Sequence, residues 1–423
     1  MIKISIALFL LITVNLQAVS ITQLFDAIKK QPATKIDEIS SQMAQLAQKR
    51  VNAGYYPKLD LFANYTHYNS PTNLRPLSPT TTFNPGEPLP FSNTIEKIGI
   101  SASVPLFVKE LGDLSKKAKY LAKSAKLKKE LNFYQNEALI LGSNATLEYL
   151  DNLLISMKAT QNSLKKTKSD IQISVNSGRM PGIAIDKIDE KLNALDISIN
   201  NIEIKKANLV SNIENLTGIE IKKPAKLRLV NDVKKGEFFA LKPLQEVIRA
   251  SMSDYQASRA KRYYPKIAFN IMWSENYAQN DVKYGKSVHD GYGFYQLGVS
   301  MPLYNRSEDI DIQLKEVEIM KSKMKLRKSE QELKAEVNAL QKELRLLDLS
   351  RKLKEKNIKQ SENLLKYAKV SFDEGRMTEE DYLVYEDKVL SAKSSYYETL
   401  SLRWQDIAKL AVIYGNDLKG VVE

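Results

Sequence analysis

The chain has 423 residues, 63 Lys and Arg against 50 Asp and Glu, two His and no Cys. The missing cysteine excludes disulfides, thiolate metal sites, cysteine nucleophiles and lipid attachment through an N-terminal Cys, and two His leave little for a histidine site. The formal charge of +13 is spread along Lys–Glu mixed segments, not gathered into the basic face with interleaved aromatics that nucleic acid requires.

Met1-Ile2-Lys3 is a short basic start, and Ile4 to Val14 is an apolar run broken only by Ser5 and Thr13. Asn15-Leu16-Gln17-Ala18 follows as a polar exit ending in a small residue. This pattern predicts a secretory signal peptide, 1–18, cut after about Ala18. The run is shorter than the roughly 20 apolar residues of a membrane anchor. No later stretch has the length and apolarity of a transmembrane helix, so any membrane span must be built from β-strands.

A helix is expected near 34–55, ending at Tyr55-Tyr56-Pro57-Lys58, where the period changes from 3.6 to 2. In the first strand Leu59, Leu61, Ala63 and Tyr65 oppose Asp60, Phe62, Asn64 and Thr66. Residues 69–94 carry six of the 14 prolines and read as a hairpin loop. In the second strand Ile98, Ile100, Ala102 and Val104 alternate with Lys97, Gly99, Ser101 and Ser103. Segment 109–175 contains no Pro and reads as one helix, closed by Gly178 where a C-terminal cap wants positive φ. Pro181 suits the first turn of a returning helix over 182–216.

The second half repeats this order. A helix near 243–262 leads to a third strand, in which Ile267, Phe269, Ile271 and Trp273 alternate with Ala268, Asn270, Met272 and Ser274. A polar loop over 276–290 precedes a fourth strand, with Tyr295, Leu297, Val299 and Met301 against Phe294, Gln296, Gly298 and Ser300. Helix 306–373 shows apolar residues at spacings of three and four, such as Leu340, Leu344 and Leu347. Gly375 closes it, and Thr378 is placed to N-cap a return helix over 378–414. About 70 helical residues at 1.5 Å each span roughly 100 Å, a length that suits coiled-coil arms.

The halves share spacing as well as order. Val104-Pro105-Leu106-Phe107 returns as Met301-Pro302-Leu303-Tyr304, Gly178-Arg179-Met180 as Gly375-Arg376-Met377, and Leu216-Thr217-Gly218 as Ile413-Tyr414-Gly415. All three pairs are offset by 197 residues without a gap. Tyr55-Tyr56-Pro57-Lys58 returns as Tyr263-Tyr264-Pro265-Lys266 at an offset of 208, so the first hairpin carries 11 extra residues, accounted for by its longer loop. The expected organisation is a signal peptide, a first repeat 19–218 (strand pair 57–105, helical hairpin 106–218) and a linker region 219–242. A second repeat 243–415 (strand pair 265–302, helical hairpin 303–415) and a tail 416–423 complete it.

Each strand is expected to run about 9–11 residues, enough for a tilted strand to cross a bilayer. Tyr55, Tyr56, Tyr263 and Tyr264 cluster at one end and Tyr65, Tyr68, Tyr277 and Tyr292 at the other, as interfacial girdles would; Trp273 is a further candidate anchor. Four strands cannot close a barrel, and open edges are forbidden in lipid. Several chains must therefore pool strands, and three would give twelve. The Asp186–Glu190 carboxylates lie on a solvated helix, and no phosphate loop, nucleophile motif or metal cluster is evident, so no enzyme activity is expected.

The duplicated Tyr-Pro-Lys strand starts, the Val/Met-Pro-Leu-Phe/Tyr strand-to-helix junctions and the Gly-Arg-Met turns together resemble the TolC-like outer-membrane efflux proteins, over residues 20 to 415. The resemblance implies a mostly α fold with β: duplicated coiled-coil helical hairpins and four membrane strands per chain. It further implies a homotrimer sharing a 12-stranded barrel in outer-membrane lipid, with a helical tunnel through the periplasm. Residues 219–242 and the C-terminal end would form the equatorial region around that tunnel. Such a duct passively conducts substrates from an inner-membrane pump joined through a periplasmic adaptor (membrane fusion) protein, in tripartite efflux or type I secretion, without cofactor. Asp381 matches the first of the family's acidic constriction residues; Val384 stands where a second is usual, and Glu379 and Glu380 add charge nearby. Gly178, Arg179, Gly375 and Arg376 are the implied adaptor-contact tips. The competing reading is an exported periplasmic coiled-coil adaptor or an adhesin-like structural protein.

Overall fold

The computed structural model describes residues 19–179 and 181–423; the expected signal peptide, 1–18, and Met180 lie outside the described residues. The first half runs α1 (Ile21–Ile28), α2 (Pro32–Ala53), β1 (Lys58–Asn73), β2 (Phe91–Val108), α3 (Lys109–Asn176) and α4 (Ile183–Thr217). The second runs α5 (Lys242–Tyr263), β3 (Lys266–Ala278), β4 (Val288–Ser300), α6 (Arg306–Asp373) and α7 (Glu379–Tyr414). The expected mostly α fold with β, written twice, is borne out. Both α3 and α6 are uninterrupted helices of 68 residues.

The chain divides into two compact units. The first comprises the residues up to Ile39, Lys128–Leu241 and Ser329–Glu423; the second comprises Ser40–Leu127 and Lys242–Lys328. In the first unit, α1 contributes four fully buried residues, Ile21, Leu24, Phe25 and Ile28, to a core shared with Ile140, Leu141, Ile213 and Ala411. This helix was not expected from the sequence. Its start is a capping box: the Ser20 side chain accepts from Gln23 N, while the Gln23 side chain accepts from Ser20 N. The C-terminal tail belongs to the same core through Leu418, Val421 and Val422. It pairs with the linker region by a bridge between Leu229 and Val422, flanked by Arg228 N donating to Glu423 O at 2.8 Å and Glu423 N to Arg228 O at 2.9 Å.

The helix ends follow the sequence closely. Gly178 and Gly375 have φ of 72° and 70°. In both turns the following arginine N–H closes a six-residue bond, Arg179 to Ser174 O and Arg376 to Ser371 O, each 2.8 Å. Nothing lies within 4 Å of a Cβ built on Gly375. Gly375→Ala therefore incurs only the left-handed backbone strain, about 1–2 kcal/mol. Faster hydrogen exchange at the Arg376 amide with global unfolding little changed is the expected result. Pro181 is displaced from its expected place: α4 starts at Ile183 with Gly182 as N-cap, so Pro181 precedes the helix. Thr378 does cap α7, accepting from Asp381 N.

In the second unit the four strands form one antiparallel sheet in the order β1-β2-β3-β4. The strands have 16, 18, 13 and 13 residues, longer than the 9–11 expected. Val104-Pro105-Leu106-Phe107 lies inside β2, with an irregularity against β3 between Pro105 and Phe107, whereas Met301–Tyr304 lies beyond the end of β4. The strands also take up the ends of both expected loops, leaving 74–90 and 279–287 as connections. Ion pairs tie the neighbouring helices together, Lys117–Asp254 (2.7 Å) and Arg262–Asp309 (2.9 Å) among them, and Lys266 at the start of β3 pairs with Glu110 of α3 at 2.7 Å.

Candidate functional site

The sheet is two-faced. Its cross-strand register places Leu61, Ile100 and Trp273 in one row and Leu59, Ala102, Ile271 and Tyr295 in the next. The large side chains of both rows stand in the open: Leu61 is 75% exposed, Leu59 69% and Tyr295 81%. The opposite face carries Asp60, Ser101 and Met272 in one row and Asn64, Lys97, Asn276 and Asp290 in another. A soluble sheet buries its apolar face; this one leaves it bare and has free edges at β1 and β4. Two glycines set the packing of the rows. Gly99, on the polar face, lies against Phe62, and Gly293, on the apolar face, gives up its side-chain space to the Trp273 ring.

The candidate anchors Tyr55, Tyr56, Tyr263, Tyr264 and Trp273 are all exposed. Trp273 sits within β3 on the apolar face and donates from Nε1 to Glu275 at 3.1 Å. Tyr292, expected in the outer aromatic girdle, is a correction: it is in register with Ser274 and therefore belongs to the polar face. Among the described residues no helix is long and apolar enough to cross a membrane.

The helical turns carry the second candidate region. Gly178, Arg179, Gly375 and Arg376 are exposed, and Arg376 pairs with Glu374 at 3.3 Å. The three consecutive carboxylates at the start of α7 have three different surroundings. Glu379 is buried, its Oε1 has no hydrogen-bond partner, and burial raises its pKa above the ordinary carboxylate value, with Glu380 adding to the rise against Lys187 and Lys191. Glu380 is exposed and pairs with Lys187 of α4 at 3.1 Å. Asp381 is exposed and accepts from Thr378 Oγ1 at 2.6 Å. Val384, one turn on, shares its open face. Lys191 pairs with Asp387 at 2.7 Å, so two lysines of α4 hold two carboxylates of α7.

Behind them lies a polar cluster that sequence reasoning missed. Tyr382 O–H donates to Glu386 at 2.7 Å, Ser163 O–H donates to the same oxygen at 2.5 Å, and Tyr382 stacks on Phe372 at 5.1 Å. Burial pushes the Tyr382 hydroxyl up to about 12, so it stays a donor. Its sequence signal is the i, i+4 pair Tyr382 and Glu386, on the stripe with Leu383 and Val389.

No protein-family model matches the sequence, and no curated protein is significantly similar to it. Solved structures do match. The chain is similar to the outer membrane protein VceC of Vibrio cholerae (TM-score 0.78, 14% identity, 94% of this chain and 96% of that one). It is similar to the MtrE outer membrane channel of Neisseria gonorrhoeae, solved in its open state (0.77, 13%, 95% and 90%). It also matches the CmeC outer membrane channel of Campylobacter jejuni (0.76, 14%, 95% and 85%). At this identity the likeness is one of fold, and it bears out the expected architecture of duplicated long helical hairpins with four strands per chain.

Proposed function

We propose that the chain is a subunit of an outer-membrane channel that extends into the periplasm and serves as the exit duct of a tripartite efflux or type I secretion system. The observation that carries this reading is the bare, two-faced sheet with open edges, in a chain whose fold neighbours are outer-membrane channels. An apolar outer face and a polar inner face are what lipid and a water-filled lumen demand. Three copies would supply the twelve strands of a closed barrel.

Two helices also leave apolar stripes uncovered within one chain. Ile36, Ile39, Met43 and Leu46 form an exposed stripe on α2, and Ile310, Leu314, Val317 and Met324 form another on α6. Neighbouring subunits would cover both, which supports a homotrimer. Passive conduction needs no catalytic group, so the protein is not read as an enzyme. The exposed turns at Gly178-Arg179 and Gly375-Arg376 are our candidates for contact with a periplasmic adaptor, and through it an inner-membrane pump. Asp381, with Glu380 beside it, is the candidate for the constriction. Glu379, being buried, would act on the turn from inside. The domain organisation we propose remains two repeats, 19–218 and 243–415, joined by 219–242.

Purified protein in planar bilayers should conduct and migrate as a trimer in detergent. A monomer that is soluble without detergent and never conducts would refute the proposal. Asp381→Asn should weaken block by multivalent cations added from the helical side severalfold; unchanged block removes Asp381 from the pore.

A further inference from the structure

The connection that follows β1 does not project away from the sheet. Leu74 is fully buried against Ile95 and Ala278, with Val288 packed on them, and these three positions all belong to the polar face. Arg75 Nε donates to Asp290 on that face at 2.7 Å. The fold-back is held from the other hairpin too. The Asp281 carboxylate accepts from the backbone N–H of Leu89, Lys283, Tyr284 and Lys286, and Val282 N donates to Phe91 O at 3.2 Å.

Between this cap and the sheet lies a cavity of about 500 Å³, lined by Phe62, Asn64, Arg75, Lys97, Ser274 and Tyr292 among others. Its charge is unbalanced. Asp290 is already paired with Arg75, and among the described residues no carboxylate lies within ion-pair distance of the half-buried Lys97 ammonium. The cavity lining adds amides from Asn64, in register with Lys97, and from Asn73. Two aromatic rings, Phe62 and Tyr292, flank these donors. A cation and side-chain amides beside aromatic walls suit a ligand with a carboxylate on an apolar body.

We propose that the Lys97 cavity is an organic-anion site, binding aromatic carboxylates of small size at the outer end of the conduit. Its placement on the lumen wall rests on the channel reading. Three copies would set three ammonium groups around the pore, favouring anions locally.

The probe is benzoate. Added from the loop side of a single channel, it should block current in a concentration-dependent way. Lys97→Gln should raise the half-blocking concentration at least fivefold, and Lys97→Arg should retain it. Both variants should migrate in detergent as the wild type does. Equal block in wild type and Lys97→Gln, or block by inorganic phosphate as strong as by benzoate, overturns the site. Calorimetric titration of benzoate into the same three proteins separates the two readings. Lys97-dependent binding without any conductance would leave the site standing and sink the channel, and conductance without Lys97-dependent binding would do the reverse.

Discussion

Gly99→Val is expected to abolish the assembled protein, whereas Gly293→Ala should be tolerated with a modest loss. A Cβ at Gly99 would stand 2.4 Å from Trp273 O, 2.6 Å from Phe62 Cζ and 2.9 Å from Ser274 Cβ. The first of these atoms is backbone in the adjacent strand. It cannot retreat without opening the β2–β3 ladder, in which Gly99 is in register with Ser274 and Ile100 with Trp273. The clash also meets Phe62 from β1, so both neighbours of β2 must move at once. Overpacking a well-filled site costs about 1–3 kcal/mol when side chains can adjust, and more when they cannot. At Gly293 the nearest atom is Trp273 Cε3 at 2.5 Å, a ring on the exposed apolar face that can swing outward, followed by Met272 O at 3.1 Å. Outer-membrane yield and the oligomer retained on unheated denaturing gels test the pair. Normal oligomer from Gly99→Val would mean that the sheet is not packed as described.

The elements most legible in the sequence were those whose signal is local. The helices α3 and α6 could be bounded to within a residue because unbroken Lys, Glu, Leu and Ala run into a glycine that only a left-handed turn explains. Strand ends were less legible, because a ladder continues as long as the partner backbone does. Bilayer thickness, used to set the length, does not limit it. Tyr292 was misplaced for a related reason: Tyr292 and Phe294 continue the polar-face register, and aromatic character alone does not reveal which face a strand residue joins. The consecutive carboxylates Glu379, Glu380 and Asp381 point about 100° apart on a helix. Only the phase set by buried Tyr382, Leu383 and Glu386 separates the inward Glu379 from the outward Asp381. An eight-residue helix such as α1 is marginal alone and exists through its core contacts, so its capping box was its main local signal. The inward fold of the first loop depends on Arg75 meeting Asp290, 215 residues away, and no local pattern encodes that.

The stability of the C-terminal attachment should depend on pH through Glu137. This α3 residue is 1% exposed and accepts from Leu418 N at 3.1 Å. Burial, then the negative charge of Asp417, push its carboxyl up to about 8, against the Leu418 N–H and the more distant Lys29. The facing charges are largely spoken for: Lys29 pairs with Asp26 at 3.0 Å and Lys419 with the same Asp26 at 2.7 Å, while Asp417 caps the short turn that follows it. Glu130 and Tyr134 lie on the same helix, about two turns and one turn away. At neutral pH Glu137 is therefore a neutral acid that can donate to Asp417. The native pKa lies above the unfolded value of 4.5, so the folded chain holds a proton that the unfolded chain gives up. Native stability accordingly falls from about pH 4.5 upward, and the loss is complete above about pH 8. Glu137→Gln keeps an acceptor for Leu418 and a donor for Asp417 but cannot ionise. It should match wild type near pH 4 and exceed it by a few kcal/mol at pH 9. Thermal unfolding of the detergent-solubilised protein at the two pH values reads the difference, and exchange at the Leu418 amide localises it. A melting-temperature difference that is the same at both would show that Glu137 titrates in the folded chain as it does in the unfolded one, and the tail would then owe its hold to Leu418, Val421 and Val422.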